Sequence, residues 1–288
     1  MSTTTTSATP AELATRYGLV PSAARPKLFT YVGQVWQRRH FITSFATSRT
    51  ATMYSSARLG QLWQVLTPLM NAAVYYFIFG VLFATRHTID NFIAFLVTGV
   101  FVMSFTTRSV TTGARAISGN LGIIRALHFP RAALPLSSTI VEFQQMLVSM
   151  FVLCLIVLAT GEPITLTWLL AIPALALQTL FNTGLALILA RIGSTVPDIS
   201  QLLPFMLRTW LYLSGVFFVI PERVHDRLLQ HIMLANPTTV YIELVRDALI
   251  EQHGAPHYAW PLAVGWAVVA FVVGFWYFWG AEEKYGRG

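Results

Sequence analysis

The stretch QLWQVLTPLMNAAVYYFIFGVLFAT, Gln61 to Thr85, carries no charged residue. A helix over it is long enough to cross a bilayer core, which takes about 20 residues at roughly 1.5 Å each. The segment before it, Leu28 to Arg49, is of another kind. Its apolar residues recur at helical spacing, at Leu28, Val32, Val35, Trp36, Ile42, Phe45 and Ala46, with Gln37, Arg38, Thr43, Ser44 and Thr47 elsewhere on the wheel. It is too polar to span, and Trp with Arg suits the headgroup region. A soluble helix is the other reading of these residues. Together the two segments read as a helix lying on a membrane followed by one passing through it.

Composition supports the same solvent. Of 288 residues, 55% are hydrophobic and 11% are charged, against about 25% charged in soluble domains. One domain of this size cannot bury that much apolar surface, so lipid must cover much of it. The single cysteine, Cys154, lies in an apolar run and excludes a disulfide framework within the chain. Residues 1–27 are rich in Ser, Thr, Ala and Pro and read as a disordered cytoplasmic tail, not a cleaved signal peptide.

Residues 28–288 then divide into six expected spans at about 62–84, 91–108, 134–160, 164–190, 199–220 and 257–281. The segment from Pro221 to Pro256 alternates charge with apolar residues and reads as two short amphipathic helices broken at Asn236-Pro237, able to re-enter the membrane or to lie on it. Six spans put both termini on one side. That side and its loops carry thirteen Arg and Lys, the other side four, with Arg108 and Arg208 inside spans. The excess places both termini in the cytoplasm. The expected fold class is therefore all-α and integral to the membrane, with an N-terminal interfacial helix.

No Gly-Lys dipeptide is present, hence no phosphate-cradling loop; an ATPase driving this chain would be a separate polypeptide. The segment YSSARLGQLWQVLTPLM, Tyr54 to Met70, resembles the start of the first span in polysaccharide-export permeases of the ABC-2 type, such as exporters of O-antigen, teichoic acid and cell-wall galactan. Tyr54, Leu59, Gly60, Trp63 and Pro68 match, while Met53 and Ala57 replace the usual Arg and Ser. NLGIIRALHFPRAALPLS, Asn120 to Ser137, is similar to the family's segment between spans 2 and 3, and Asn236-Pro237 with Arg246 is similar to the one before the last span. Each motif is weak alone; three in register within one layout are specific.

The resemblance implies a permease subunit, not an enzyme, in a bacterial cytoplasmic membrane. It implies a homodimer with two copies of an ABC ATP-binding subunit, which would hold ATP and Mg, and a lipid-linked polysaccharide as cargo. It makes the 118–130 loop a cytoplasmic coupling helix for the ATP-binding subunit, through Asn120, Leu121, Ile124, Arg125, Leu127, His128 and Phe129. The residues fit independently: Leu121, Ile124 and Leu127 make a small apolar face with Arg125 and His128 beside it, and Phe129-Pro130 ends the helix. A loop held by lipid headgroups through Arg125 and Arg131 is the other reading.

Glu142 and Arg208 are charges inside spans, each costing about 2.5–3.5 kcal/mol on insertion scales. Both stand at matching depth, which makes an interhelical ion pair the first expectation; Arg208 meeting a lipid-linked pyrophosphate is the second, and a wet groove the third. Aromatics are dense, with Tyr75, Tyr76, Phe79 and Phe83 in span 1 and Phe101 and Phe105 in span 2. Aromatic faces pack on the C–H faces of sugars and let a chain slide, so these six are candidates for a substrate path; lipid-facing aromatics are the ordinary alternative. His253 and His257 lack helical spacing and a third ligand, so no metal is assigned. Nothing points to nucleic acid. A permease for drugs or small lipids is the closest rival. A membrane-embedded glycosyltransferase is weaker, because Glu142, Glu162 and Asp198 do not cluster.

Overall fold

The computed structural model describes residues 26–53, 59–82, 89, 91–127, 129–251 and 253–285. The tail to residue 25, Tyr54, Ala57, Phe83 and His128 lie outside them. Twelve α-helices and no strand occur among the described residues. In chain order they are α1 (Leu28–Gln37), α2 (Arg39–Thr52), α3 (Trp63–Tyr75), α4 (Phe92–Ala114), α5 (Leu121–Ala126), α6 (Ala133–Ala159), α7 (Ala171–Thr195), α8 (Ile199–Leu213), α9 (Ile220–Arg223), α10 (Arg227–Ala235), α11 (Pro237–Leu249) and α12 (Ala259–Trp279).

Among the described residues, five stretches are long and apolar enough to cross a membrane: Val65–Leu82, Phe92–Ala114, Ala133–Ala159, Leu166–Thr195 and Ala259–Trp279. The fifth expected span, at about 199–220, is corrected. Helix α8 ends at Leu213, after 15 residues, about 22 Å at 1.5 Å each. The chain then turns at Gly215, whose φ of 64° suits a residue without Cβ. The second span is also longer than expected. It runs six residues beyond Arg108, to Ala114.

Helix α4 is the centre of the bundle: 78% of its apolar 18-residue stretch is buried, against 17% for Val65–Leu82 at the edge. Its N-terminus is fixed by Asn91, which accepts from the Ala94 amide at 3.1 Å and donates to Thr160 and Glu162 in the α6–α7 loop. Around it pack Met146, Met150 and Leu153 of α6, Leu175 and Phe181 of α7, and Ile242, Leu244 and Val245 of α11. Helices α7 and α12 approach closely along small residues. Ala259, Ala263, Ala267, Ala270 and Gly274 are the buried positions of α12 before Phe278. A Cβ on Gly274 would stand 2.3 Å from the Gly184 carbonyl oxygen. Backbones this near need glycine, the usual device where lipid supplies no hydrophobic drive between helices.

Helices α10 and α11 settle an alternative left open above. Residues Thr238 to Leu249 are almost wholly buried among α4, α7 and α12, so α11 enters the bundle. Trp266, seven residues into α12, donates to Ala235 at 2.9 Å. The α10–α11 corner therefore lies about 10 Å in from the Ala259 end of α12. The first helix of the expected pattern also divides. Arg38 leaves helical geometry (ψ 11°) and separates α1 from α2.

Candidate functional site

The 118–130 segment forms a 3-10 turn, Ser118–Asn120, and the short helix α5. Asn120 turns back to donate to the Ala116 carbonyl at 2.7 Å. The expected apolar face splits. Ile124 is buried with Ile117 and Ala132, whereas Leu121 and Leu127 are exposed. Six residues are under two turns, too few for three apolar side chains to share one outward face. Phe129 lies against the same inner cluster and meets Phe41 of α2 at 5.5 Å between ring centroids. Arg125 stands in the last turn of α5.

The base of this segment is tied to both ends of the described chain. Glu282, just past α12, accepts from the Tyr31 hydroxyl at 2.7 Å and from the Arg131 amide at 2.9 Å. The Arg131 side chain donates to the Glu282 carbonyl oxygen. The Tyr31 hydroxyl in turn accepts from the Ala132 amide at 3.0 Å. Burial pushes the Glu282 carboxyl above the ordinary glutamate range, against the Arg131 amide and the Tyr31 hydroxyl, which favour its charged form. Burial and the neighbouring Glu282 push the Tyr31 hydroxyl well up. Sequence reasoning missed this knot. Tyr31 and Glu282 are 251 positions apart, and no local pattern joins them; the one available signal is a carboxylate beside an apolar span end.

The intramembrane charges are re-paired. Glu142 on α6 is 2% exposed and lies 3.3 Å from Nε of Arg108 on α4, not against Arg208. The reason is the length of α4. Because it continues to Ala114, Arg108 sits about 9 Å inside the helix end, beside α6. Arg208 is exposed on α8, which packs chiefly on α4 and α7.

The aromatic candidates also divide. Phe101 and Phe105 are 1% and 0% exposed within the α4 core, so they line no path in this structure. Helix α4 is central and buries nearly every face. Tyr75, Tyr76 and Phe79 are half-buried on the edge helix α3, at and beyond the point where it widens into a π-helical stretch, Tyr76–Leu82. Such widening is rare and recurs at functional sites. Phe79 stacks on Phe217 at 4.3 Å and Tyr75 meets the same ring edge-on at 4.8 Å. Phe217 follows α8, so the aromatic set joins α3 to the α8 turn. Beyond it, α3 exposes Met70 and Val74, the π-helical stretch exposes Phe77, and α8 exposes Leu202, Phe205 and Met206.

The three motifs acquire physical roles. Gly60, with φ 50°, opens the turn into α3, and Pro68 stands in its second turn. Asn236 caps α11 through the Thr238 amide, accepts from Trp210 at 2.8 Å, and is followed by Pro237 at the first helical position. Arg246 is fully buried on α11. Among the described residues, no group of three or more His, Cys, Asp or Glu could hold a metal ion.

These are the features of a multi-pass helical membrane protein with a short loop helix on the face opposite its re-entrant pair. Residues 42–250 match the ABC-2 type transporter family, and the chain belongs to it, a family of transport proteins and not of enzymes. Among curated relatives, the chain is 30% identical over 174 residues to the O-antigen export system permease protein RfbA of Klebsiella pneumoniae, covering 59% of this chain and 66% of the relative. It is 26% identical over 225 residues to the protein of the same name from Myxococcus xanthus, covering 78% and 85%. It is 25% identical over 203 residues to the polysialic acid transport protein KpsM of Escherichia coli, covering 69% and 77%. The chain thus spans just under two thirds of the Klebsiella relative's length.

Proposed function

We propose that this chain is the membrane subunit of an ATP-driven exporter of a lipid-linked polysaccharide, in a bacterial cytoplasmic membrane with both termini inside. Relatives whose names specify O-antigen export and polysialic acid transport support the cargo class. A cell-wall galactan is the finer reading, and it rests on the motif resemblance alone. ATP and Mg belong to a separate ABC ATP-binding subunit, two copies of which serve a homodimer of this chain. The exposed apolar edge of α3 and α8 supports dimerisation there, since it leaves Arg208 and the rings of Tyr75 and Phe79 beside the interface that a second copy would close.

The observation that carries the reading is α5. It presents Leu121 and Leu127 outward from a base held by Tyr31, Arg131 and Glu282. An apolar knob on a firm base passes on the motion of a partner that grips it. ATP binding changes which state the partners favour, and the knob conveys that preference to the spans. The test is co-purification of the tagged chain with its ATPase in mild detergent, with native mass measured. Two-to-two assembly that Leu127→Asp abolishes, without loss of the folded permease, is expected. A folded complex lacking any ATPase overturns the reading. ATPase stimulation by a glycan-linked lipid, and not by hydrophobic drugs, assigns the cargo class.

A further inference from the structure

A groove of about 230 Å³ runs between the interfacial helices and the bundle, where α1 and α2 lie against α6 and α7. Val35 and Ile42 form its outer wall, Leu136 and Ile140 its inner one. The remaining lining is threonine, and every one of those hydroxyls is already used. Thr43 bonds the Arg39 and His40 carbonyls, Thr139 that of Pro135, Thr179 that of Leu175 and Thr183 that of Thr179. With its hydroxyl proton given to its own helix, each threonine has no donor left to offer the groove. The walls are therefore mostly hydrocarbon and have no proton to donate to a sugar oxygen.

The mouth is different. Trp36 and Arg39 stand there. The Arg39 guanidinium donates to the Trp36 carbonyl at 3.2 Å, and its Cζ lies 5.3 Å from the Trp36 ring centroid. Residues 28–52 hold three arginines and no Asp or Glu. No carboxylate lies within ion-pair distance of Arg39 among the described residues. An apolar cavity of about 150 Å³ holds a benzene, so this groove has room for a chain of methylenes. A helix about 10 Å across is too wide for it.

We infer that the groove is a lipid site, taking one acyl chain of an anionic phospholipid with the lipid phosphate at Arg39. Charge complementarity selects the anionic headgroup, and the interfacial position of α1 and α2 sets headgroup and chain at their proper depths. The lipid packs α1 and α2 against α6 and α7. The site stands apart from the aromatic edge of α3 and α8 and does not depend on what the chain transports.

Native mass spectrometry of the full chain, with whatever subunits co-purify, tests it after delipidation. Phosphatidylglycerol and phosphatidylcholine with identical acyl chains are the probes. One tightly held phosphatidylglycerol per chain is expected, with phosphatidylcholine about five- to tenfold weaker and Arg39→Gln lowering phosphatidylglycerol to that level. Ile140→Trp, which fills the groove, abolishes both; Val35→Trp fills it from the other wall should the first variant fail to fold, folding being checked by size exclusion and thermal unfolding. Equal binding of the two lipids, an unchanged Arg39→Gln, or lipid retained by a folded filled variant overturns the site. Displacement of phosphatidylglycerol by equimolar polyprenyl phosphate makes it a cargo-lipid site and overturns the assignment to phospholipid.

Discussion

The Cζ of Arg246 stands 3.3 Å from the centroid of the Phe95 ring, and Nε and Nη2 of the same guanidinium both donate to the Phe95 carbonyl oxygen. Further bonds run to the Gly215 and Val216 carbonyls and to Glu243, all at 3.0 Å. One buried side chain thus joins α4, the turn after α8 and the re-entrant α11. It also explains why the Asn236-Pro237 motif carries an arginine ten positions after Asn236: the cap seats α11 and the arginine locks it.

Arg246→Met is expected to destabilise the folded chain by about 3–5 kcal/mol, the usual cost of breaking a buried charged network. Arg246→Lys recovers only a small part, because the three donors of an ammonium cannot replace the five bonds that the planar fork makes to three carbonyls and Glu243. Thermal unfolding in detergent measures both.

Arg108 and Glu142 should behave as a coupled pair of unequal members. Arg108→Gln leaves a carboxylate 2% exposed without its cation, and a loss of about 3–5 kcal/mol follows. Glu142→Gln costs less, since the Arg108 side chain retains 25% exposure and can reach water. The double variant is more stable than the sum of the two losses predicts. The same cycle between Glu142 and Arg208 should show no coupling.

Gly184→Ala tests the contact of α7 with α12. Its Cβ would stand 2.3 Å from the Ala270 carbonyl carbon, which is backbone and cannot swing aside. Overpacking of this kind costs about 1–3 kcal/mol or more. Gly265→Ala on the same α12 meets nothing within 4 Å and is expected to be neutral. A fall in unfolding temperature for the first variant alone is the expected result.

The Glu282 knot gives a pH dependence. Its folded carboxyl is raised above the ordinary range, so the fold binds that proton more tightly than the unfolded chain does. The contribution is complete below the ordinary glutamate value and is lost as pH rises through the raised one. Glu282→Gln, which mimics the protonated form, should flatten this part of the stability profile. Unfolding temperatures recorded from about pH 4 upward compare the two.

Except for their number, the long apolar helices, the helical segment before them and the short helix ahead of Phe129-Pro130 were legible in the sequence. Each rests on a local property: a run without charge, apolar residues at helical spacing, or a Phe-Pro stop. The Asn236-Pro237 break was legible for the same reason, since cap and proline act within one turn. The family resemblance placed Arg246 without explaining it.

What tertiary structure alone decided is who meets whom and where a span stops. Glu142 found Arg108 because α4 runs on to Ala114, and Phe101 with Phe105 went to the core because α4 became the central helix. Helix α8 stopped at Leu213 because the chain turns there at Gly215 toward Arg246, and Tyr31 met Glu282 across the whole chain. Apolar runs report that a segment leaves water, which depends on composition. Partners in a bundle are chosen by close packing and by the need of each buried polar group for a mate, and those demands act between residues that no local pattern connects.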